Sequence, residues 1–250
     1  MAAKKAAKKA TPARTNVTTF GTASVPMIRQ WSYSRYTTYT KCPFLAKAKF
    51  IMKLDEPQAP AMARGAEIHG LAQDFLEGRK KTVAHELQSV EHILKDYKKK
   101  KASAEGEMGL TRQWQPTGWF ATDVWGRVKI DAKTPWNKSG TIMRVTDWKT
   151  GKYAPDRPDY GDQTELYALG TFCFHPIVEE VITELVFTDH DQRIAKPVVK
   201  AYTRDQLEGM INSWERKLKP MLNDKRFTPS PGAQCRSCNY RKAVGGPCKY

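Results

Sequence analysis

The stretch RVTDWKTGK, residues 144–152, places an aspartate and a lysine on either side of one tryptophan. It continues an apolar run and leads into a turn, which predicts the end of a β-strand. In a strand, Asp147 and Lys149 point to the same face. The pair has two possible roles. It is a surface ion pair, which contributes little to stability, or a metal ligand beside its catalytic partner.

A second aspartate closes the apolar segment GRVKID, in which Val128 and Ile130 alternate with polar residues. We expect Asp131 and Asp147 to end neighbouring strands, so that the two carboxylates meet at one edge of a sheet. Two carboxylates and a backbone carbonyl suit Mg²⁺ or Mn²⁺. Lys149 would then orient the attacking water or stabilise charge on a phosphate.

Hydrophobic periodicity predicts an α/β chain around these motifs. Helices are expected at residues 64–78, 83–100 and 160–174. Strands are expected at residues 108–115, 125–132, 141–148 and 181–187. A capping box at residues 203–206 predicts a further helix through Trp214 and Leu218.

The charge of the chain points to a polyanionic partner. Its 250 residues include 42 Lys and Arg against 26 Asp and Glu, giving +16 and a pI near 9.6. An excess of this size favours nucleic acid, without separating binding from cleavage. No apolar run approaches the roughly 20 residues of a membrane span, and no secretory leader is evident. We therefore predict a cytoplasmic protein that does not bind membranes.

The five cysteines favour a metal site over a disulfide framework, because the chain lacks a secretion signal. Three of them, Cys235, Cys238 and Cys248, lie within fourteen residues. Cys42, in Lys-Cys-Pro, is the best candidate for a fourth ligand. Cys173 lies in an apolar segment and is expected to be a buried core thiol.

Two helices carry further candidates. His69 lies in RGAEIH, four residues after Gly65, which permits close backbone approach. Gln163 and Tyr167 are spaced i, i+4 and share one helix face. Alone, each of these features is commonplace: a single helical histidine is usually a packed or surface residue.

Together these motifs resemble the PD-(D/E)XK nuclease superfamily. The resemblance rests on GxxxH, GRVKID, DWKTGK and QxxxY, in that order. It is strongest to the RecB-like branch, which includes the CRISPR-adaptation exonucleases and the AddB nuclease domain. The early stretch WSYSRYTTYTKCP is similar to the first motif of that branch. The resemblance implies a restriction-endonuclease-like core with a central mixed sheet flanked by helices.

The resemblance also implies roles for the site residues. His69, Asp131, Asp147 and the backbone carbonyl of Trp148 would bind Mg²⁺ or Mn²⁺, with Lys149 catalytic. Gln163 and Tyr167 would contact the DNA backbone or shape the site. The implied chemistry is metal-assisted hydrolysis of phosphodiester bonds.

In the RecB-like branch, one early and three late cysteines commonly hold a [4Fe-4S] cluster. The resemblance therefore implies that Cys42, Cys235, Cys238 and Cys248 are its ligands, and a Zn²⁺ site is the alternative. The nine residues between Cys238 and Cys248 form a longer gap than is usual for the family.

We divide the chain into a basic, disordered tail (residues 1–24), a nuclease domain (25–228) and a cysteine-rich segment (229–250) joined to Cys42 through the metal cluster. Basic and aromatic residues around the cysteines and after DWKTGK are candidate DNA contacts, namely Arg35, Tyr36, Lys152, Arg236 and Arg241.

The expected function is a DNA exonuclease acting on ends or single strands. The alternatives are a structure-selective endonuclease, an RNA-processing nuclease, and a non-catalytic DNA-binding subunit of a repair or recombination complex. The chain has no G-x-x-x-x-G-K-[ST] motif. Any unwinding would therefore come from a helicase or recombination partner.

Overall fold

The alternating apolar segments form a mixed β-sheet in the computed structural model, which describes residues 27–57 and 59–250. The basic tail predicted at residues 1–24 lies outside the described residues. Within them, the sheet has seven strands: β1 Trp31–Ser32, β2 Ser103–Leu110, β3 Pro116–Thr117, β4 Gly126–Pro135, β5 Ile142–Lys149, β6 Glu180–Phe187 and β7 Val198–Thr203.

The sheet order places β5 in the interior. The strands follow the order β3-β2-β4-β5-β6-β7, and β1 pairs with β4. β5 and β6 run parallel, whereas β4 and β7 are antiparallel to their neighbours β5 and β6. In open α/β sheets, ligands bind beyond the carboxyl ends of the strands. The DWKTGK motif lies at that end of β5.

The helices form a layer on each face of the sheet. They are α1 Tyr33–Lys41, α2 Pro43–Ala46, α3 Pro60–Leu76, α4 Glu91–Lys99, α5 Asp159–Phe174 and α6 Leu207–Asn223. Helices α5 and α6 pack on one face in a cluster that we call the α5 core, whose members include Ile130, Val145, Leu166, Phe172 and Trp214. Helices α3 and α4 pack on the other in the α3 core, whose members include Ile68, Leu94, Tyr97, Ala132 and Trp148. The predicted α/β class is confirmed.

The helix predicted at residues 83–100 is broken into two parts. A 3₁₀ helix, His85–Val90, precedes α4, and Val90 leaves helical geometry with φ −115° and ψ 11°. Leu87, Val90, Leu94 and Tyr97 are nevertheless fully buried, as the apolar stripe predicts. The periodicity therefore predicted the buried face correctly. The backbone differs from one continuous α-helix, because a 3₁₀ helix followed by an α-helix buries the same side chains.

Two strand predictions need correction. The strand predicted at 108–115 lies at 103–110, because the backbone turns at Thr111, whose hydroxyl and amide both bond with Gln115. Strand β7 was not predicted. It is an edge strand with mostly exposed side chains, so it lacks an apolar alternation.

The capping box is confirmed. The Gln206 side chain accepts a 3.0 Å hydrogen bond from the Thr203 backbone N–H. Helix α6 follows with a buried stripe of Met210, Trp214, Leu218 and Met221. No helix in residues 27–57 and 59–250 is long and apolar enough to cross a membrane.

Trp31 anchors the N-terminal segment against α6. Its ring stacks on Trp214 with centroids 5.8 Å apart and meets Trp125 edge-on at 5.5 Å. Gly126 lies beside it in β4, and a Cβ there would come within 2.7 Å of the Trp31 ring. Only glycine leaves room for this fully buried indole.

We expect Gly126→Ala to lower the free energy of unfolding by about 1–3 kcal/mol, as overpacking does in well-packed cores. Urea denaturation, monitored by tryptophan fluorescence, measures this change in the free energy of unfolding. Gly209→Ala is the matched control, since a Cβ there meets nothing within 4 Å. An unchanged stability of Gly126→Ala would contradict this packing of Trp31.

Candidate active site

Strand alternation at the end of β5 presents Asp147 and Lys149 to the α5 side of the sheet. Trp148, on the opposite face, is 2% exposed in the α3 core. Asp147 is itself 7% exposed. The Lys149 ammonium lies 2.7 Å from Asp147 Oδ2 and donates to Gln163 Oε1 at 2.8 Å. The acid and the lysine of the motif therefore form a half-buried pair.

Helix α5 supplies the partners of this pair. The Tyr167 hydroxyl donates to Asp147 Oδ1, and Gln163 Nε2 lies 3.3 Å from the same oxygen. Gln163 Nε2 also donates to the Tyr167 hydroxyl at 2.6 Å. The i, i+4 spacing thus directs both side chains to one carboxylate. Four of the sequence-predicted site residues meet here.

Asp131 lies inside β4 rather than at its end, because the strand continues to Pro135. The strand is irregular at this point. Ile130 packs in the α5 core and Ala132 in the α3 core, although strict alternation would put both on one face. Glu105, on the neighbouring strand β2, has φ +50°, and β2 and β4 do not pair between Ile130 and Ala132. At this break in the pairing, the Asp131 carboxylate reaches the Trp148 N–H near the end of β5.

Asp131 joins His69 to the DWKTGK segment. Asp131 Oδ2 accepts a 2.8 Å hydrogen bond from the Trp148 N–H, and Oδ1 lies 3.1 Å from His69 Nδ1. His69 Nε2 lies 2.7 Å from the Trp148 carbonyl oxygen. Three of the four predicted metal-binding groups, His69, Asp131 and the Trp148 carbonyl, are therefore in direct contact. A Cβ at Gly65 would be 3.5 Å from Thr150 Oγ1, an ordinary contact, so the helix approach does not require glycine.

Burial and charge shift the acid–base properties of the site. Burial raises the pKa of Asp131, the negative charge of Asp147 raises it further, and the His69 contact opposes both. Burial acts to lower the pKa of His69, but the hydrogen bond and charge of Asp131 outweigh it and raise the pKa. Burial raises the pKa of Tyr167 far above its usual range, so the phenol stays protonated and donates to Asp147.

One oxygen in the site accepts no hydrogen bond, and its close partner is a cationic side chain. Asp147 Oδ2 is buried and makes no hydrogen bond, because the nearby Lys149 ammonium approaches at 2.7 Å outside hydrogen-bond geometry. Carboxylate and carbonyl oxygens with one imidazole fit Mg²⁺ or Mn²⁺. In the described part of the chain, no three His, Cys, Asp or Glu side chains are already arranged to hold a metal ion.

The candidate DNA contacts are dispersed. Arg35 lines a cavity of about 400 Å³ that includes Gln163 and Tyr167. Tyr36 packs edge-on against Trp214 at 5.3 Å, as part of the core margin. Lys152 is exposed just after β5. Arg236 is also exposed, and Arg241 donates to the Cys238 carbonyl at 2.7 Å; these two lie in the cysteine-rich segment.

The four predicted cluster cysteines line one cavity of about 80 Å³. Cys42 is buried there, and its sulfur accepts a 3.4 Å hydrogen bond from the Ser230 N–H. Gln234 Nε2 contacts the Lys41 carbonyl at 3.3 Å, which joins the two segments again. Cys173 is apart on α5, where burial raises the pKa of its thiol to about 11.

The long gap before Cys248 folds back on itself. The Cys248 N–H donates to the Tyr240 carbonyl at 2.9 Å, and Gly245 has φ +78°. A Cβ at Gly246 would lie 2.3 Å from the Tyr240 backbone, so glycine is needed for this close approach. The extra residues therefore form a compact turn that returns Cys248 to the cavity of the other three cysteines.

The sequence reasoning missed Arg127 and Trp119 beside the site. Both line the cavity that contains Arg35. Arg127 belongs to GRVKID, where it alternates with buried Val128, so its position in the motif was the available signal. Trp119 lies in a loop without periodicity, and no sequence pattern marked it.

Known proteins match the chain in two ways, as solved structures and as a family profile. Two solved structures resemble the chain: a provisionally assigned exonuclease from Eubacterium rectale (13% identity, TM-score 0.47, 87% of each chain covered) and the protein SSO0001 (16% identity, TM-score 0.45, 91% of each chain covered). No curated protein sequence shows significant similarity. The sequence profile of the PD-(D/E)XK nuclease superfamily matches residues 30–243. The chain therefore belongs to the PD-(D/E)XK nuclease superfamily.

Proposed function

We propose that the chain is a divalent-metal-dependent deoxyribonuclease of the RecB-like branch that hydrolyses phosphodiester bonds at DNA ends or in single strands. The observation that carries this proposal is the contact of Asp147 with Lys149, Gln163 and Tyr167 in a chain of this superfamily. A carboxylate held this way beside a cation is suited to phosphoryl chemistry.

Four groups would hold Mg²⁺ or Mn²⁺: His69, Asp131, Asp147 and the Trp148 carbonyl. The hydrogen-bond capacity left on buried Asp147 Oδ2 supports this set. When bound, the ion would act as a Lewis acid that neutralises charge on the scissile phosphate and activates water.

Lys149 is positioned to act on the attacking water or on the phosphate. Gln163 accepts from its ammonium group at 2.8 Å and so limits its rotamers. Tyr167, held protonated by burial, fixes Asp147 Oδ1, so a bound cation would take Oδ2 in competition with the Lys149 ammonium at 2.7 Å. The α5 helix therefore orients both charged groups of the DWKTGK motif.

The excess positive charge of +16 favours a nucleic-acid substrate, and membership of the nuclease superfamily favours DNA. We assign an exonuclease because no segment reads as a sequence-specific recognition module. A structure-selective endonuclease is the second candidate. The intact contacts among the site residues argue against a non-catalytic binding subunit.

We further propose that Cys42, Cys235, Cys238 and Cys248 bind a [4Fe-4S] cluster, with Zn²⁺ as the alternative. The proposal is supported by their shared cavity and by the backbone N–H directed at the Cys42 sulfur. Such hydrogen bonds to cysteine sulfur accompany iron–sulfur ligation and tune its potential. The role is structural, since the metal would tie α1 and α2 to the C-terminal segment.

A digestion panel tests the activity. End-labelled linear single strands should be degraded with Mg²⁺ or Mn²⁺, closed single-stranded circles should resist, and a chelator should stop the reaction. Linear duplex in the same panel measures strand preference. Circles cut as fast as linear strands would replace the exonuclease with the endonuclease, and full activity under chelation would contradict metal dependence.

A further inference from the structure

A cleft of about 400 Å³ adjoins the proposed nuclease centre. It lies between α1, α5, β4 and the loop of residues 118–125 that precedes β4, which we call the 118–125 loop. Gln163 and Tyr167 line this cleft and also contact Asp147. A strand whose phosphate reaches Asp147 therefore has this cleft as a direct neighbour.

Two guanidinium groups line the cleft, and neither forms an ion pair among the described residues. Arg35 donates to the Gln30 carbonyl at 2.9 Å, and Arg127 donates to the Trp119 carbonyl at 2.9 Å and the Gln30 side chain at 3.0 Å. Among the described residues, the ion pairs of the cleft wall include only Lys129 with Glu105. Burial lowers the pKa of Arg35, and the charge of Arg127 lowers it further. This mutual repulsion is relieved by an anion, and guanidinium pairs bind phosphate well.

The 118–125 loop carries two adjacent aromatic residues, of which Trp119 lines the cleft and Phe120 follows it. Phe120 is 87% exposed, although a large apolar side chain is usually covered. Trp119 is half-buried, with the Arg127 guanidinium 5.6 Å from its ring. The loop is held in shape by a 2.7 Å hydrogen bond from Thr117 to Asp123 and by backbone bonds within it. The backbone of the loop is therefore held in shape, with Phe120 directly after Trp119, which lines the cleft with the two arginines.

We propose that this cleft binds single-stranded DNA next to the scissile phosphate, with Arg35 and Arg127 on a backbone phosphate and Phe120 stacked on a base. Bases inside a duplex already stack on both faces, whereas every base of a single strand offers a face to Phe120. The inference rests on the proposed function for the identity of the neighbouring site. It names single strands as the preferred substrate of that site.

Phe120→Ala tests the stacking. Binding of a short oligothymidylate, an abasic strand of equal length and a blunt duplex is measured by fluorescence anisotropy in chelator, so that no hydrolysis occurs. We expect the variant to bind oligothymidylate about tenfold more weakly, and to bind the abasic strand and the duplex within about twofold of the unmodified protein. Ile177→Ala is the control, because Ile177 is 65% exposed near the start of β6, away from the site.

Arg127→Gln tests the phosphate contact. It should weaken binding of oligothymidylate and of the abasic strand to the same extent, and should lower the slope of log affinity against log salt concentration by about 1. Arg127→Lys should restore part of the affinity and part of the slope. Unchanged oligothymidylate binding by Phe120→Ala, or an equal loss for duplex, would overturn the proposal. These are binding results, so they stand even if the digestion panel shows no nuclease activity.

Discussion

Asp147→Asn is expected to slow hydrolysis of end-labelled DNA by on the order of 10³-fold or more, because it removes a charge that stabilises the transition state through the metal. The amide keeps the shape of the side chain and can still accept from Tyr167. DNA binding should persist, since many phosphate contacts carry it. Single-turnover rates with Mn²⁺, beside binding in chelator, separate the two effects.

The matched control for this variant is Asp96→Asn. Asp96 also pairs with a lysine, at 2.7 Å from Lys100, but lies on α4 at the opposite end of β5. It should retain full activity. Hydrolysis by Asp147→Asn at the rate of the unmodified protein would remove the nuclease assignment from this site.

Cys42→Ser is expected to abolish the iron–sulfur cluster. The protein purified without oxygen should be brown and contain about four irons per chain, and loss of one thiolate ligand should release them. The variant should also unfold at a lower urea concentration, because the metal ties Cys42 to a segment almost 200 residues away. Iron content, visible absorbance and urea denaturation check this.

Cys173→Ser provides the control for the cluster. Its thiol lies on α5 outside the cysteine cavity, so the colour should remain. Colour lost with Cys173→Ser but kept with Cys42→Ser would show that the fourth ligand is wrong. A colourless protein with one zinc per chain would replace the iron–sulfur cluster with the zinc alternative and leave the nuclease proposal intact.

Local periodicity was sufficient to predict the part of the site that lies on regular strands and helices. Asp147 and Lys149 share a strand face at i, i+2, and Gln163 and Tyr167 share a helix face at i, i+4. Each spacing follows from the geometry of its own element. The contact between the two faces depends on the tertiary structure. In the sequence, only the resemblance to the superfamily indicated it.

Features that break periodicity were not predictable in the same way. The strand containing Asp131 changes face between Ile130 and Ala132, and alternation rules cannot signal such a break. Strand β7 is polar because it lies at the sheet edge, so it resembles a loop in sequence. The Arg35–Arg127 approach joins residues 92 positions apart and has no local pattern.

The cysteine spacing shows a different limit of structure prediction from sequence. The gap between Cys238 and Cys248 departs from the family pattern, which weakened the prediction of a shared site. The structure accounts for it with a turn that depends on Gly245 and Gly246. The glycines were visible in the sequence, but the direction of the returning chain depends on the hydrogen bond to the Tyr240 carbonyl.

Asp147 is assigned as a metal ligand and Lys149 as a catalytic group, and Mn²⁺ binding distinguishes these two roles. Calorimetric titration of protein freed of divalent ions, with the metal of the cysteine site retained, should show Mn²⁺ binding that Asp147→Asn abolishes. Lys149→Gln should bind Mn²⁺ at least as tightly, because it removes a cation 2.7 Å from Asp147 Oδ2, yet should not hydrolyse DNA. Undiminished Mn²⁺ binding by Asp147→Asn would contradict the account.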